Sequence, residues 1–451
     1  MPEFWSIFFG EFAKQNPDSL SHFMFVNKSG FDNISAVSKF TIAQIAIEEK
    51  IESTTISGEK EYQHLAQFVD NNLLGALRIQ LEWNKHSVLN NKKYGFDNRI
   101  VHLVKFFQDY IIDNDINVVC IDIVSPFMSL ECRVLEKVCN EMRVKMLVTP
   151  ATSMYGRLEL FDNTKTISYA AESEYKRLLD NGINKSELER LDHFLQSYKN
   201  FKKRYHGDEW IARLQHQKPP GIRQVKNIVK NLRDSLTGGK ETKKLNIKHR
   251  NVEEFSDTPY FVFFPNKKHN HRTYNCSPFH SDYGALIRAI SISLPIGYSL
   301  LIKDHPHHIR KKPNNDLLKA IMSTDNCHYL SLNTDYFDLI ENAVGIFTSA
   351  STTAIESLMS WKHVIAFGSD PYIFGSNLLA PIHRIDNLEK LPVIINKCIS
   401  KSVEKDKINA YLFSLISSSI FIENSDDDGN FVSNKQKEYE QIVKMINKLV
   451  Q

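Results

Sequence analysis

The sequence predicts an α/β protein of two parallel-sheeted domains, and three observations carry that reading. From Pro259 to Phe367, short apolar runs alternate with amphipathic stretches of helical spacing, the rhythm of a doubly wound sheet. A looser form of the same rhythm runs from Asn98 to Val148. The chain also has 451 residues, more than one ordinary core organises, so two domains are the expectation.

The elements follow in order. His22-Phe23-Met24-Phe25-Val26-Asn27 reads as a first strand, and residues 36–80 read as irregular helix. Ile100, Leu103, Val104, Phe107, Tyr110 and Ile111 recur at helical spacing within Asn98–Asp113. Val118 to Ile123 is a strand-length apolar run. Ser129 to Met142 is an amphipathic helix with Leu130, Val134, Leu135 and Val138 on one face, and Val144 to Val148 is the next strand. Residues 166–217 read as long polar helices, ended by the break Lys218-Pro219-Pro220-Gly221. Residues 221–250 are strongly basic: a solvated linker, or a patch that meets anionic lipid or an anionic glycan acceptor.

The second domain opens near Pro259. Strands are expected at Tyr260–Phe264, Tyr298–Lys303, Cys327–Leu330, Val344–Thr348 and Val364–Phe367. Helices are expected at Asp282–Leu294, Asn315–Ser323, Thr334–Asn342 and Thr352–Trp361. Beyond Leu391 two helical patterns flank the acidic break Ser425-Asp426-Asp427-Asp428-Gly429. The expected division is therefore 1–250, 251–390 and a helical tail over 391–451.

Composition excludes several classes. A net charge of +3 does not mark a nucleic-acid binder. The six cysteines form no C-x-x-C pair, which suits reduced core thiols better than zinc or a disulfide framework. The N-terminal stretch MPEFWSIFFGEF carries Glu3 and Glu11 and lacks the basic start of a signal peptide. No run reaches the roughly 18 apolar residues of a membrane span. The expectation is a cytoplasmic protein, at most peripheral to a membrane.

Two stretches carry chemistry. Lys303-Asp304-His305-Pro306 closes an apolar run, and Thr348-Ser349-Ala350-Ser351-Thr352-Thr353 leads into a helix that holds Glu356. Parallel sheets bind ligands at the carboxyl ends of their strands. His305 would donate to a phosphate or protonate a leaving group. The hydroxyls of Ser349, Ser351, Thr352 and Thr353 exceed what one helix cap needs. Glu356 either holds the two hydroxyls of a ribose or closes a capping box with Thr353. Arg272-Thr273 and the turn-rich Gly368-Ser369-Asp370-Pro371-Tyr372 follow strands of the same sheet, and Arg272 would give fixed anion contacts.

The order and spacing of Tyr260–Phe264, Arg272-Thr273, Leu294-Pro295-Ile296-Gly297, Ile302-Lys303-Asp304-His305-Pro306, Ser349–Glu356 and Gly368–Tyr372 resembles the capsule-polysaccharide biosynthesis glycosyltransferases, including bacterial Kdo transferases. The pairing of His-Pro with a Ser/Thr loop is also similar to that of bacterial sialyltransferases. The resemblance covers about residues 255–380 and is looser over 98–160. It implies a GT-B fold, two Rossmann-like domains facing across a cleft. The C-terminal domain would hold a nucleotide-sugar donor, usually CMP-linked, and the N-terminal domain a glycan or glycolipid acceptor. Carried over by position, Lys303, His305, Pro306 and the Ser349–Thr353 loop would hold the donor phosphate, with Glu356 on the ribose or base side. No metal and no separate cofactor is implied for the chemistry.

The chain departs from the family pattern in one loop. Members often carry a carboxylate after the first strand of the second domain, where this sequence has Lys267-Lys268-His269-Asn270-His271-Arg272. Asp122, Glu131 and His271 are the candidates for base or nucleophile, with His305 beside the leaving group. Two other readings stay open: a UDP-sugar-dependent enzyme of the same fold, and a non-catalytic scaffold of a capsule-assembly complex.

Overall fold

The computed structural model describes residues 54–69, 96–123, 130–150, 157–158, 168–206, 249–265, 283–303, 315–331, 334–348, 352–367, 381–385, 387–421 and 444, with the strands 22–25 and 43–46. The chain forms two compact units. One comprises Met1–Gly182, Phe374–Ala380 and Phe413–Gln451, the other Ile183–Ile373 and Pro381–Leu412. The basic stretch expected to be a linker or a membrane-facing patch lies, up to residue 248, outside the described residues, as does the acidic break at 425–429.

In the first unit, β1 (His22–Phe25) pairs in parallel with β2 (Ala43–Ala46). Of the irregular helix expected over 36–80, the described residues hold the short helix α1 (Glu59–Ala66), while Ala43–Ala46 is corrected to the strand β2. Then come α2 (Phe96–Asp113), β3 (Val118–Ile123), α3 (Leu130–Met142) and β4 (Lys145–Pro150). β3 and β4 pair in parallel, so α3 is the crossover of a βαβ unit. The helical spacing read from the sequence is the buried face: Ile100, Leu103, Val104 and Phe107 of α2, and Leu130, Val134 and Val138 of α3, are almost wholly buried. Lys105 Nζ reaches Glu61 Oε1 at 3.1 Å, and Lys137 Nζ donates to the Phe68 carbonyl at 2.8 Å, tying the α1 segment to α2 and α3. β5 (Arg157–Leu158) and α4 (Tyr169–Asn181) follow. Ser168 caps α4 by accepting from the Ala171 N–H at 3.2 Å.

The second unit begins with α5 (Lys185–His206). It continues with β6 (Tyr260–Phe264), α6 (Tyr283–Ser293), β7 (Ser299–Ile302), α7 (Asn315–Met322), β8 (Cys327–Tyr329), α8 (Tyr336–Asn342), β9 (Gly345–Thr348), α9 (Thr353–Met359) and β10 (His363–Phe367). A further strand, β11 (His383–Ile385), was not expected; three residues are too short a run to stand out. The helix α10 (Leu391–Ser400) comes next; α11 (Lys405–Ser418) carries the chain from the second unit back into the first, within which β12 (Ile420–Phe421) pairs antiparallel with β5. Among the described residues both helices of the tail precede the acidic break; the helical pattern expected after it lies, apart from the helical residue 444, outside them.

The six strands form one parallel sheet in the order β11-β10-β9-β6-β7-β8. Numbered from its own first strand, that is the 3-2-1-4-5-6 order of dinucleotide-binding Rossmann sheets. The class expected from the sequence, α/β with doubly wound parallel strands, is the class of the structure. Every residue of β6 is buried, because helices cover both faces. Phe261, Phe263, Phe347 and Phe367 point into the layer with α6, α7 and α10, while Tyr260, Val262 and Ile346 point into the layer with α8. Phe347 and Phe367 stack at 5.8 Å between centroids, and Phe261 meets Phe347 at 5.5 Å.

Gly345 makes room for this cluster. It opens β9 opposite Phe261, and a Cβ there would stand 2.9 Å from Phe261 Cε1. Phe261 is fully buried and has little space to yield. Among the described residues, no helix is long and apolar enough to cross a membrane. Replacing Gly345 with Ala is expected to destabilise the protein by about 1–3 kcal/mol, an overpacking cost read from urea unfolding.

Candidate functional site at the carboxyl ends of the second sheet

In a sheet of this order the strand direction of progression reverses between β6 and β9, and the crevice outside their carboxyl ends is where such sheets take ligands. Phe264 and Thr348 are register partners at that point. Lys303 follows β7, the other neighbour of β6, and its N–H donates to the Phe263 carbonyl at 3.2 Å, extending the ladder one residue. Side chains alternate along a strand. Lys303, Phe264 and Thr348 therefore share the face of Leu301, Val262 and Ile346, which α8 covers.

Two polar groups are thus sunk into the mouth of the sheet. Lys303 is 3% exposed and Thr348 is fully buried. The Thr348 hydroxyl has no hydrogen-bond partner among the described residues. An unmatched buried hydroxyl is costly, roughly 1–3 kcal/mol, and is uncommon without a reason.

Glu356 lies one turn into α9 and is 2% exposed. One carboxylate oxygen accepts from the Tyr198 hydroxyl of α5 at 3.0 Å, and the other accepts from the Tyr336 hydroxyl of α8. Burial first, and then the adjacent carboxylate, pushes the Tyr336 phenol well above its usual range, with Thr353 pulling weakly the other way. Tyr336 thus stays a donor at any ordinary pH. The capping box is not formed: Thr352 stands at the N-cap without a side-chain cap bond, and Glu356 turns inward to the tyrosines. Lys199 pairs with Glu341 and lies 5.9 Å over the Phe337 ring, fastening α5 along α8. α5 is thereby packed within the second unit, which begins at Ile183.

The candidate residues fall into three groups. Lys303, Thr352, Thr353 and Glu356 belong to the carboxyl-end region of the second sheet. His271, Arg272, His305, Pro306, Ser349 and Ser351 lie outside the described residues. Asp122 and Glu131 belong to the first unit. Asp122 is the penultimate residue of β3, in register with Thr149. Glu131, in the first turn of α3, is 2% exposed and ion-paired with Arg99 at 3.0 Å. Tyr198 and Tyr336 were not found from the sequence. Tyr198 sits seven residues after the buried Leu191, a core position of a polar helix, and nothing local links it to Glu356.

The second unit is therefore a Rossmann-type sheet with a buried polar cluster beside its switch point. No protein-family model matches the chain, and no curated protein matches it. Among solved structures, it is similar to the beta Kdo 2,7 transferase of Thermosulfurimonas dismutans KpsC (14% identity, 80% of this chain and 98% of that one, TM-score 0.36). It is similar also to the beta Kdo 2,4 transferase of the same KpsC (12% identity, 72% and 87%, TM-score 0.37). A third is the UDP-GlcNAc 2-epimerase of Neisseria meningitidis bound to UDP-GlcNAc (9% identity, 83% and 96%, TM-score 0.28). The fold assignment rests on the strand order, and the site on its side chains.

Removing either phenol, by Tyr198→Phe or Tyr336→Phe, leaves a buried carboxylate oxygen short of a donor. Each is expected to cost about 1–3 kcal/mol in chemical denaturation.

Proposed function

We propose that this chain is a nucleotide-sugar-dependent glycosyltransferase of bacterial surface-polysaccharide assembly. It would carry an acidic sugar, Kdo or a sialic-acid-like one, from a CMP-linked donor to a glycan or glycolipid. The observation that supports it most is the 3-2-1-4-5-6 sheet with Lys303 and an unmatched Thr348 hydroxyl at the carboxyl ends flanking its switch point. A nucleotide phosphate is the ligand such a mouth suits, since a buried cation and hydroxyls offset its charge. The sequence motifs agree with that chemistry: His305 follows Lys303, and Ser349–Thr353 follows Thr348, in the chain.

In this reading the donor belongs to the second unit and the acceptor to the first. When the glycosidic bond to the nucleotide breaks, negative charge grows on the departing phosphate. Lys303, His305 and the Ser/Thr loop neutralise it, which is electrostatic stabilisation of the transition state. Asp122, Glu131 or His271 would take the acceptor proton. Of these, Glu131 is paired with Arg99, which orients its carboxylate. Glu356, bridged by two tyrosines, fixes α9. Any contact it makes to the ribose would use the lone pairs the phenols leave.

Thermal-shift titration against CMP, UMP, UDP and GDP tests the donor class. Stabilisation by CMP is expected; a response to UDP alone would move the assignment to UDP sugars, and none at all would favour the scaffold. Lys303→Met is expected to weaken CMP binding about tenfold or more. Thr348→Val removes an unmatched hydroxyl at constant shape, so the ligand-free melting temperature should hold or rise while the CMP shift shrinks. His305→Ala and Ser351→Ala should each lower turnover by about 10²–10³-fold, measured by release of CMP; near-normal rates would remove those residues from the mechanism.

A further inference from the structure

A second cluster of donor atoms lies at the other end of the same sheet, away from the donor region. His363 opens β10 and His383 opens β11. His383 is in register with Ile365, so the two histidines are diagonal neighbours on adjacent strands. Alternation puts both on the face of Ile365, Phe367 and Ile385, the layer that α10 covers. Cys398 enters that layer from α10, one turn after the buried Ile395. One ligand atom from each residue lies within 4.8 Å of the other two, and the imidazole centroids are 5.6 Å apart.

The geometry points to a zinc site formed by His363, His383 and Cys398, with a water molecule completing a tetrahedron. Two imidazoles and a thiolate are a donor set that zinc takes readily. Metal–nitrogen bonds of ~2.0–2.1 Å and a metal–sulfur bond of ~2.3 Å put tetrahedral ligand atoms roughly 3.3–3.7 Å apart, so the three side chains close by about an ångström, within reach of small χ adjustments.

The surroundings already orient one ligand. His363 Nε2 is 2.8 Å from the Lys401 carbonyl. A carbonyl only accepts, so Nε2 carries the proton, and Nδ1 is left with its lone pair. A backbone carbonyl holding the far nitrogen of a histidine is the usual outer support of a metal ligand. Burial above all keeps both imidazoles neutral at pH 7, against the Lys401 carbonyl at His363 and with the neighbouring His363 aiding it at His383, and Lys397 adds to it at both. His363 is held below the usual histidine range, with Lys362 adding to the effect, and His383 is lowered to about 4. Burial raises the Cys398 thiol to about 12, so without metal it is protonated. On binding, the Cys398 S–H bond breaks, the proton passes to solvent and the sulfur lone pair forms the Sγ–zinc bond. No electron is transferred. The thiolate then offsets part of the charge that Lys362, Lys397 and the ion bring together.

The ion would latch the edge strand β11 and the helix α10 to β10, where the chain returns to the second unit at Pro381. It would be structural and independent of the donor chemistry.

The test uses the full-length chain, stripped with chelator and given zinc alone. One zinc per chain by elemental analysis and a raised melting temperature are expected, with no change in the response to CMP. Cobalt(II) in place of zinc should give a thiolate-to-metal charge-transfer band with the visible absorption of tetrahedral coordination. Cys398→Ser should abolish the band, and Cys398→Ser or His383→Gln should weaken zinc binding by about a hundredfold or more. Zinc that binds with less than one equivalent, or that is unaffected by these substitutions, overturns the site. Should the variants fail to fold, the cobalt spectrum of the unaltered chain decides, since absence of the charge-transfer band excludes Cys398 as a ligand.

Discussion

The second unit depends on the parallel pairing of Tyr260–Phe264 with Gly345–Thr348. These are its first and fourth strands, separated in the chain by two complete strand–helix repeats, yet they lie side by side in the middle of the sheet. Bringing them together closes a long loop, and burial must offset that entropy. The sequence supplies it with aromatic rings: Phe261, Phe263, Phe347 and Phe367 bear on one another across three adjacent strands. The same pairing creates the switch point. With later strands built outward on both sides, the carboxyl ends of the two central strands face a gap between oppositely directed connections.

Beside that gap the molecule does something an apolar core does not require. It buries Lys303, Thr348, Thr353 and Glu356 together with two phenols. Glu356 links α5, α8 and α9 through one carboxylate. A bridge of this kind fixes the relative rotation of three helices more sharply than hydrophobic contact, since hydrogen bonds are directional and the cost of breaking one in a buried place is high. The first turn of α9 is thereby held by a rigid post.

The parallel sheet was legible because all of its interior strands are buried on both faces. Continuous runs such as Tyr260–Phe264 cannot be mistaken for a half-exposed strand, and the helices between them keep their spacing. β11 was not legible, being three residues long with two half-buried positions. Nor was β2, four residues inside a stretch whose spacing favoured helix. At the site, Lys303 and Glu356 stood out by position after a strand and on a helix. Their partners did not. Tyr198 and Glu356 are in contact only because α5 folds back onto the second sheet, and His363, His383 and Cys398 meet only because β11 returns to its edge. Contacts of that range depend on topology, which local periodicity does not encode.

Neither unit is one uninterrupted piece of chain. The first is made of Met1–Gly182, the short excursion Phe374–Ala380 and Phe413–Gln451, and β5 finds its partner in β12, where Leu158 meets Ile420. During synthesis the ribosome therefore releases nearly all of the second unit before the last pieces of the first exist. The amino-terminal half must wait, partly assembled, until Phe413–Gln451 has been made. Dissection at a single cut would leave one body incomplete on either side of the scissors. The two halves are covalently interlaced, and a nascent chain cannot bring the first to completion ahead of the second.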